Sequence, residues 1–306
     1  MTGILLLEQS LNGLQFGLML FLLAAGLTLV FGIMDMINLA HGSLYMVGAY
    51  LAASAAAASG SFALGVAGGV AGAAVFGVLL ELSFLRRLYA RDHLSQVLGT
   101  FALLLMANEA VRFIWGSQPI ALSPPAALAG PIELLPGFSY PSYRLLIIGV
   151  GLAVALGLWL LITRTRVGMR VRAGASNREM AMAMGTNVGR LFTALFALGA
   201  ALCGVAGALL GPLLAVQVGM GESILILAFV VIVIGGIGSI RGALLGALLV
   251  GLVDTGGRVL IPLVFEQFLS RDAADNAGPA VASMLIYLLM AAVLFWKPRG
   301  LFPSHG

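Results

Sequence analysis

The chain has 306 residues, of which 61% are hydrophobic and only 9% are charged. An ordinary soluble domain carries about 25% charged residues, so a chain this apolar cannot cover a water-facing surface and must be a polytopic membrane protein. Its net charge of +4 does not indicate nucleic-acid binding, because most of its basic residues are arginines beside apolar runs, where they act as topology signals.

Nine apolar segments are candidates for crossing a bilayer, which takes about 20 consecutive apolar residues. They are residues 11–33, 43–59, 62–84, 94–115, 144–163, 191–211, 223–240, 241–261 and 280–296. We therefore predict an all-α membrane protein in which residues 1–306 form a single transmembrane domain, a polytopic bundle of about 8–9 helices. No Lys or Arg precedes Arg86, so the first segment lacks the positive flank of a secretory signal and is expected to remain as the first helix.

Arginine clusters predict the orientation of the bundle, because cytoplasmic loops of membrane proteins carry an excess of Lys and Arg. One cluster begins at Arg86, a second fills a loop at about 164–190, and a third lies at Arg299. Placing all three in the cytoplasm puts the N-terminus outside and the C-terminus inside. The stretches at about 116–143 and 262–279 are then expected to be outer loops, and the first, which is rich in proline, is expected to be non-helical.

The loop at about 164–190 is the most informative stretch of the chain. It carries six arginines between two long apolar segments: Arg164, Arg166, Arg170, Arg172, Arg178 and Arg190. Ser176 stands three residues before Glu179, and this capping-box spacing predicts a short helix with Ser176 as N-cap and Glu179 at the third position. Three methionines follow, and their flexible side chains suit a docking surface. The loop therefore indicates a docking site for another protein.

A run of polar residues interrupts the apolar pattern early in the chain. Its members are Asp35, Asn38, His41, Ser43 and Tyr45. Polar groups and irregular backbone at membrane depth are tolerated only where they face protein or line a cavity. Two interpretations are open. Either Asn38, His41, Ser43 and Tyr45 belong to a broken helix beside the translocation path, or the run is a tight cytoplasmic turn with Asn38 or Ser43 capping a helix.

Two pairs of opposite charges within the apolar segments stand at helical spacing. Glu109 and Arg112 are three residues apart, and Asp254 and Arg258 are four apart. Residues at these spacings lie on one face of a helix, so the two members of each pair can neutralise one another. We interpret them as structural ion pairs, with a role in gating or translocation as the alternative.

The sequence lacks the motifs of an enzyme or a metal site. No G-x-S-x-G or H-E-x-x-H motif occurs, and the histidines show no metal-ligand spacing. The single lysine, Lys297, is followed by Pro298, which excludes a Walker A nucleotide site. We therefore expect no catalytic residue, metal or cofactor in this chain. If ATP drives its activity, a separate subunit must supply the ATPase.

Three blocks carry a resemblance to a known family. They are GLTLVFGIMDMINLAHGSLYMVGAYL (26–51), TRVGMRVRAGASNREMAMAMGTNVGRL (165–191) and GGIGSIRGALLGALLVGLVD (235–254). With the pattern of spans, they resemble the H-type permease subunit of the high-affinity branched-chain amino acid ABC importers along nearly the full chain. Glu179, Ala181 and Gly185 fall at the spacing of the E-A-A-x3-G signature of the coupling loop in such permeases. Met180 replaces the middle alanine of that signature.

The resemblance implies a permease with the fold of a type II ABC importer, resident in the bacterial inner membrane. The implied partners are a second, M-type permease, two cytoplasmic ATPase subunits that use ATP, and a periplasmic substrate-binding protein. The ATPase subunits would dock on the coupling loop through Ser176, Arg178, Glu179, Ala181 and Gly185. The implied cargo is leucine, isoleucine and valine, with urea, amides or aromatic acids as alternatives that relatives of the family carry. Whether the permease forms a homodimer or a heterodimer stays open.

Two other classes of protein share this composition. A self-contained secondary transporter would need ion-coupling groups near the middle of the membrane. The concentration of arginines and Glu179 in one docking-type loop favours the importer instead. An intramembrane enzyme would need a nucleophile with its base or a metal site, and the sequence contains no recognisable pattern of either kind.

Overall fold

The computed structural model describes residues 2–268 and 270–302, and most of them are helical. The helices are α1 (Thr2–Met34), α2 (His41–Ser59), α3 (Phe62–Leu80), α4 (Arg86–Leu88), α5 (His93–Trp115), α6 (Ser142–Arg164), α7 (Arg166–Ser176), α8 (Arg178–Ala183), α9 (Val188–Leu214), α10 (Met220–Gly235), α11 (Ile240–Phe265) and α12 (Arg271–Trp296). A π-helical turn, Glu81–Leu85, joins α3 to α4. The predicted class of helical membrane protein is confirmed.

Seven helices in the described part of the chain are long and apolar enough to cross a membrane: α1, α3 with its extension to Leu88, α5, α6, α9, α11 and α12. The predicted number of spans, eight to nine, is higher because the segments at 43–59 and 223–240 form α2 and α10, which are not among these seven helices. Helix α10 has 16 residues, about 24 Å at 1.5 Å per residue, whereas the hydrocarbon core is about 30 Å thick. Helix α2 is rich in Ala, Gly and Ser, and every residue of its first half, 41–50, is buried inside the bundle.

Helix α1 lies at the centre of the bundle. Every residue from Leu18 to Val30 is buried, and the helix packs against α6, α9, α10 and α11. A helix that is apolar all round is expected in the interior rather than at a surface. The first predicted span therefore forms the core around which the other spans assemble.

Glycines allow the inner helices to touch backbone to backbone. A Cβ atom at Gly48 of α2 would lie 2.6 Å from the Cα of Gly204 in α9, and one at Gly26 of α1 would lie 2.9 Å from the Cα of Gly199. Any larger side chain would force these helices apart, so the small residues serve close helix packing. The contacts hold α9, which follows the loop at 164–190, against both α1 and α2.

The stretch at about 116–143 is largely non-helical in the structure. It contains a short 3₁₀ turn at Ala126–Leu128 and an antiparallel hairpin of β1 (Pro131–Leu135) and β2 (Phe138–Pro141). The Tyr140 hydroxyl donates a hydrogen bond to Asn12 Oδ1 at 2.9 Å. This contact ties the hairpin to α1.

The prediction of a loop at about 262–279 is wrong in its length, because the connection in the structure is much shorter. Helix α11 continues past Pro262, and α12 begins at Arg271, well before Pro279. Proline normally breaks a helix interior because it lacks an N–H and crowds the preceding turn. Pro262 lies in the last turn of α11, and its ring packs against Gly278, where a Cβ atom would lie 2.5 Å from the Pro262 Cγ. The neighbouring helix thus accommodates the proline, and only a short connection remains.

Candidate functional site

Helix α7 forms the first part of the docking loop, which we define as residues 164–190. The Thr165 hydroxyl oxygen caps the helix by accepting the backbone N–H of Gly168 at 3.1 Å. One face of α7 is buried through Gly168, Val171 and Gly174, whereas its arginines are exposed. The helix therefore packs on the bundle with its positive face outward.

Helix α8 begins one residue later than the capping-box pattern predicts. Asn177 is its N-cap, and the Asn177 Oδ1 accepts the N–H of Met180 at 2.9 Å. Ser176 is the last residue of α7, so its predicted capping role is wrong and Glu179 occupies the second helical position. The reason is that the Asn177 N–H closes the final turn of α7 on Ala173. Asn177 therefore ends one helix and starts the next, and asparagine caps about as well as serine.

Replacing Asn177 with alanine is expected to destabilise α8 by about 1 kcal/mol, the usual cost of a lost N-cap. Ser176→Ala is the matched control and is expected to leave the helix unchanged. Hydrogen exchange at the Met180 amide is the measurement, because the cap accepts this N–H. Faster exchange in Ser176→Ala than in Asn177→Ala would contradict the assignment and restore the capping box.

The outer surface of α8 is polar and rich in methionine. Ser176, Arg178 and Glu179 are exposed, whereas Ala181 is buried against the bundle. Glu179 has no ion-pair partner among the residues that the structure describes. Gly185 ends the helix with a φ of 81°, a conformation that glycine adopts readily. The three methionines are exposed as well: Met180 at 61%, Met182 at 48% and Met184 at 80%.

An aromatic contact connects α8 to the body of the bundle. The guanidinium carbon of Arg178 lies 4.8 Å from the ring centroid of Phe192 in α9. Phe192 is buried and meets the ring of Tyr89 edge to face, with 5.7 Å between centroids. A cation over an aromatic face and an edge-to-face ring pair are both favourable arrangements. The docking loop is therefore linked through α9 to the segment that follows α3.

A buried carboxylate, which the sequence analysis did not single out, lies beside this contact. Glu81 is fully buried in the π-helical turn. Its Oε1 accepts the Tyr89 hydroxyl at 2.9 Å, and its Oε2 accepts the Thr193 hydroxyl at 2.8 Å. Arg86 Nε lies 3.3 Å from Glu81 Oε1. Burial and the nearby Glu81 charge raise the pKa of Tyr89, so its hydroxyl stays protonated and remains a donor.

The sequence carries a signal for Glu81 that could have been used. It is an acidic residue inside the predicted span 62–84, and an ionisable residue in a membrane span is a functional candidate by default. Arg86 and Tyr89 are near it along the chain, but Thr193 gives no local signal because it is 112 residues away.

The polar run includes a non-helical break between helices α1 and α2. Helix α1 ends at Met34 and α2 begins at His41. The N-cap of α2 is Ala40, with no side-chain cap hydrogen bond, so the alternative in which Asn38 or Ser43 caps this helix is wrong. The candidate path residues of this run are buried, with exposures of at most 2%: Asn38, His41, Ser43 and Tyr45.

Within this run His41 is paired through Nε2 alone, whereas His41 Nδ1, the Ser43 hydroxyl and both polar atoms of Asn38 have no hydrogen-bond partner among the described residues. His41 Nε2 lies 3.2 Å from the Leu23 carbonyl oxygen and 3.1 Å from Cys203 Sγ. Neither polar side-chain atom of Asn38 has a hydrogen-bond partner in the described part of the chain. Burying an amide without a partner costs free energy. Packing alone therefore gives no reason for an asparagine here, and its part in translocation stays a prediction.

Both pairs of opposite charges at helical spacing form contacts. Arg112 Nη1 lies 2.8 Å from Glu109 Oε1, and both side chains are exposed. Arg258 Nε lies 3.0 Å from each carboxylate oxygen of Asp254, which is buried. Both members of each pair belong to the same helix, as expected of a structural ion pair.

A cavity of about 690 Å³ lies behind α7, between it, α1, α6 and the start of α11. Its walls include Trp159, Val171 and Arg241. Part of the inner side of α7 therefore faces space instead of a packed helix.

Comparison with known proteins places these features in a family. A family model described as the permease component of a branched-chain amino acid transport system matches residues 9–294. The high-affinity branched-chain amino acid transport system permease protein BraD of Pseudomonas aeruginosa is 31% identical over 309 residues, covering 96% of this chain and 95% of that protein. The corresponding permease proteins LivH of Escherichia coli K12 and of Salmonella typhimurium are each 28% identical, with 96% of both chains covered.

Proposed function

Because the chain belongs to the family of branched-chain amino acid transport permease components, we propose that it is the membrane-spanning permease subunit of an ATP-driven ABC importer of leucine, isoleucine and valine. The observation that carries the proposal is the exposed surface of α8, held between two membrane spans. Glu179 has no ion-pair partner within the described chain, and the exposed methionines suit a protein partner.

In this proposal the chain binds no cofactor and catalyses no reaction. Two cytoplasmic ATPase subunits bind and hydrolyse ATP. An M-type permease encloses the pathway together with this chain, and a periplasmic binding protein delivers the cargo to the outer face. The assembly resides in the bacterial inner membrane.

The ATPase subunits dock on α8 and its flanks through the exposed residues Ser176, Arg178, Glu179 and Gly185, while the buried Ala181 seats α8 against the bundle. The connection from α8 to α9 is short, residues 184–187, so displacement of α8 acts directly on α9. Helix α9 packs against α3 and also against α1 and α2, the two helices that flank the non-helical segment before His41. Docking contacts that differ between two states of the ATPases would shift the bundle between outward and inward access.

The first test is purification of the chain from its native host in mild detergent, followed by mass spectrometry of the proteins that accompany it. Recovery of ATPase subunits with P-loop motifs, together with a second permease, is the expected result. Recovery of the chain alone, under conditions that keep other ABC complexes intact, would contradict the proposal.

The second test uses the purified complex and its binding protein in proteoliposomes with radiolabelled leucine. Uptake is expected to require ATP and to be reduced by excess unlabelled isoleucine or valine. ATP-dependent uptake of urea, an amide or an aromatic acid instead of leucine would keep the importer and change its cargo. Leucine uptake by the chain alone, driven by a proton or sodium gradient, would indicate a secondary transporter.

A further inference from the structure

The π-helical turn at Glu81–Leu85 brings together two charges that an α-helix would separate. Five residues along an α-helix rotate a side chain to about 140° from the first. In the π turn the N–H of Arg86 bonds to the carbonyl of Glu81, and Arg86 Nε approaches Glu81 Oε1 to 3.3 Å. Such turns are rare and frequently occur at functional sites.

The Glu81 carboxylate is held from two parts of the fold. Tyr89 donates to it from the corner between α3 and α5, residues 81–92, and Thr193 donates to it from α9. Arg86 Nη2 also donates to the Thr193 hydroxyl at 2.9 Å. A buried carboxylate is stable only when it is paired and hydrogen-bonded. These contacts therefore fix the corner to α9.

The same part of α9 also meets the docking loop. Phe192 precedes Thr193, and its ring contacts Arg178 of α8 at 4.8 Å and Tyr89 of the corner at 5.7 Å. Two adjacent residues of α9 thus join α8 on one side to the Glu81 carboxylate on the other. The contacts form a continuous path of packed and hydrogen-bonded side chains between α8 and the end of α3.

We infer that Glu81 is a positioning residue for energy coupling, which fixes the corner after α3 to α9 so that displacement of α8 moves both together. The inference rests on the proposed role of α8 as the ATPase docking helix. The Glu81 carboxylate acts through Tyr89 and Thr193 rather than on cargo or ATP. Without the carboxylate, α9 would follow α8 while the corner at residues 81–92 lagged, and ATP would be hydrolysed with less transport.

The test measures ATP hydrolysis and leucine uptake on the same proteoliposomes that hold the assembled transporter. Glu81→Gln keeps the shape of the side chain and removes its charge. Hydrolysis is expected to stay near the wild-type rate. Uptake per ATP is expected to fall between about twofold and about thirtyfold, which corresponds to about 0.5–2 kcal/mol of coupling.

Two milder variants separate coupling from folding. Tyr89→Phe removes one hydroxyl and keeps the ring against Phe192, and Thr193→Val removes the other hydroxyl. Each is expected to lower uptake per ATP without loss of assembly. Thr193→Val is expected to add little further loss to Glu81→Gln, because both act on the same carboxylate.

Ser54→Ala is the matched control. It removes the hydrogen bond from Trp115 Nε1 to Ser54 Oγ, 2.7 Å long, which joins α2 to the opposite end of α5. Uptake per ATP is expected to be unchanged in this variant. A loss equal to that of Glu81→Gln would show that any lost interhelical hydrogen bond has the same effect, and would overturn the inference.

Three further outcomes would overturn the role of Glu81 in coupling. Wild-type uptake per ATP in an assembled Glu81→Gln transporter overturns the inference, as does an equal fall in hydrolysis and uptake. If Glu81→Gln does not assemble, unchanged ratios in Tyr89→Phe and Thr193→Val overturn it. Failure of the proposed function has a different signature, because the wild type itself would then bind no ATPase or show no ATP-dependent uptake, and the inference would fall with it.

Discussion

Charge reversal at Glu179 is expected to abolish most ATP-driven uptake while leaving the chain folded and inserted. Glu179 is exposed on α8 and has no ion-pair partner among the described residues, so Glu179→Arg removes no internal salt bridge. A like charge placed against a partner surface that receives a carboxylate costs several kcal/mol. A penalty of about 2 kcal/mol already weakens docking about thirtyfold.

The measurement pairs leucine uptake with the amount of ATPase that co-purifies with the chain. Glu179→Gln, which removes the charge without reversing it, is expected to have a smaller effect on both. Glu8→Arg is the control, because Glu8 is also exposed and its reversal changes the net charge equally; ATPase recovery is expected to be unchanged. Normal uptake by a correctly inserted Glu179→Arg chain would falsify the docking role of α8.

The membrane spans could be predicted from the sequence because the bilayer imposes a simple rule. Each predicted apolar segment corresponds to a helix of the structure, since backbone polar groups in lipid must be satisfied within a helix. Helix ends are harder to predict, because tertiary contacts can let a helix continue past a residue that normally breaks it. Pro262 reads as a helix breaker, but its ring packs on Gly278 of the next helix, and no pattern within one segment reveals that contact.

The docking loop could be predicted from the sequence only in part. Its position between two spans and its exposed charges follow from the sequence, whereas the choice of cap does not. Ser176 and Asn177 have similar capping preferences, and the length of α7 decides between them. The start of α8 therefore depends on where α7 ends.

Glu81 marks the limit of sequence reasoning in this chain. Its position in an apolar segment predicts that it must be paired. The identity of the partners depends on the π-helical turn, which brings Arg86 close, and on α9, which supplies Thr193. The contact with Thr193 depends on the assembled bundle rather than on the residues near Glu81.

Replacement of Asn38 by leucine is expected to raise stability and lower transport together. Asn38 is fully buried, and neither of its polar side-chain atoms is paired within the described residues. Leucine has the same branched heavy-atom shape and needs no hydrogen bond, so removing the buried amide should stabilise the fold, by at most about 1–3 kcal/mol. Loss of a hydrogen bond formed only during transport would cost about 1.4 kcal/mol, or about tenfold in uptake.

Thr28→Val is the matched control for this prediction. Thr28 is buried in α1, and its hydroxyl is likewise unpaired in the described part of the chain, but it lies outside the break between α1 and α2. Thermal unfolding in detergent is expected to show both variants at least as stable as the wild type, with uptake lost only in Asn38→Leu. Unchanged uptake in both would make the break a packing feature. A selective loss would mean that the amide, which destabilises the resting fold, is retained for a partner that it meets in another state of the transport cycle.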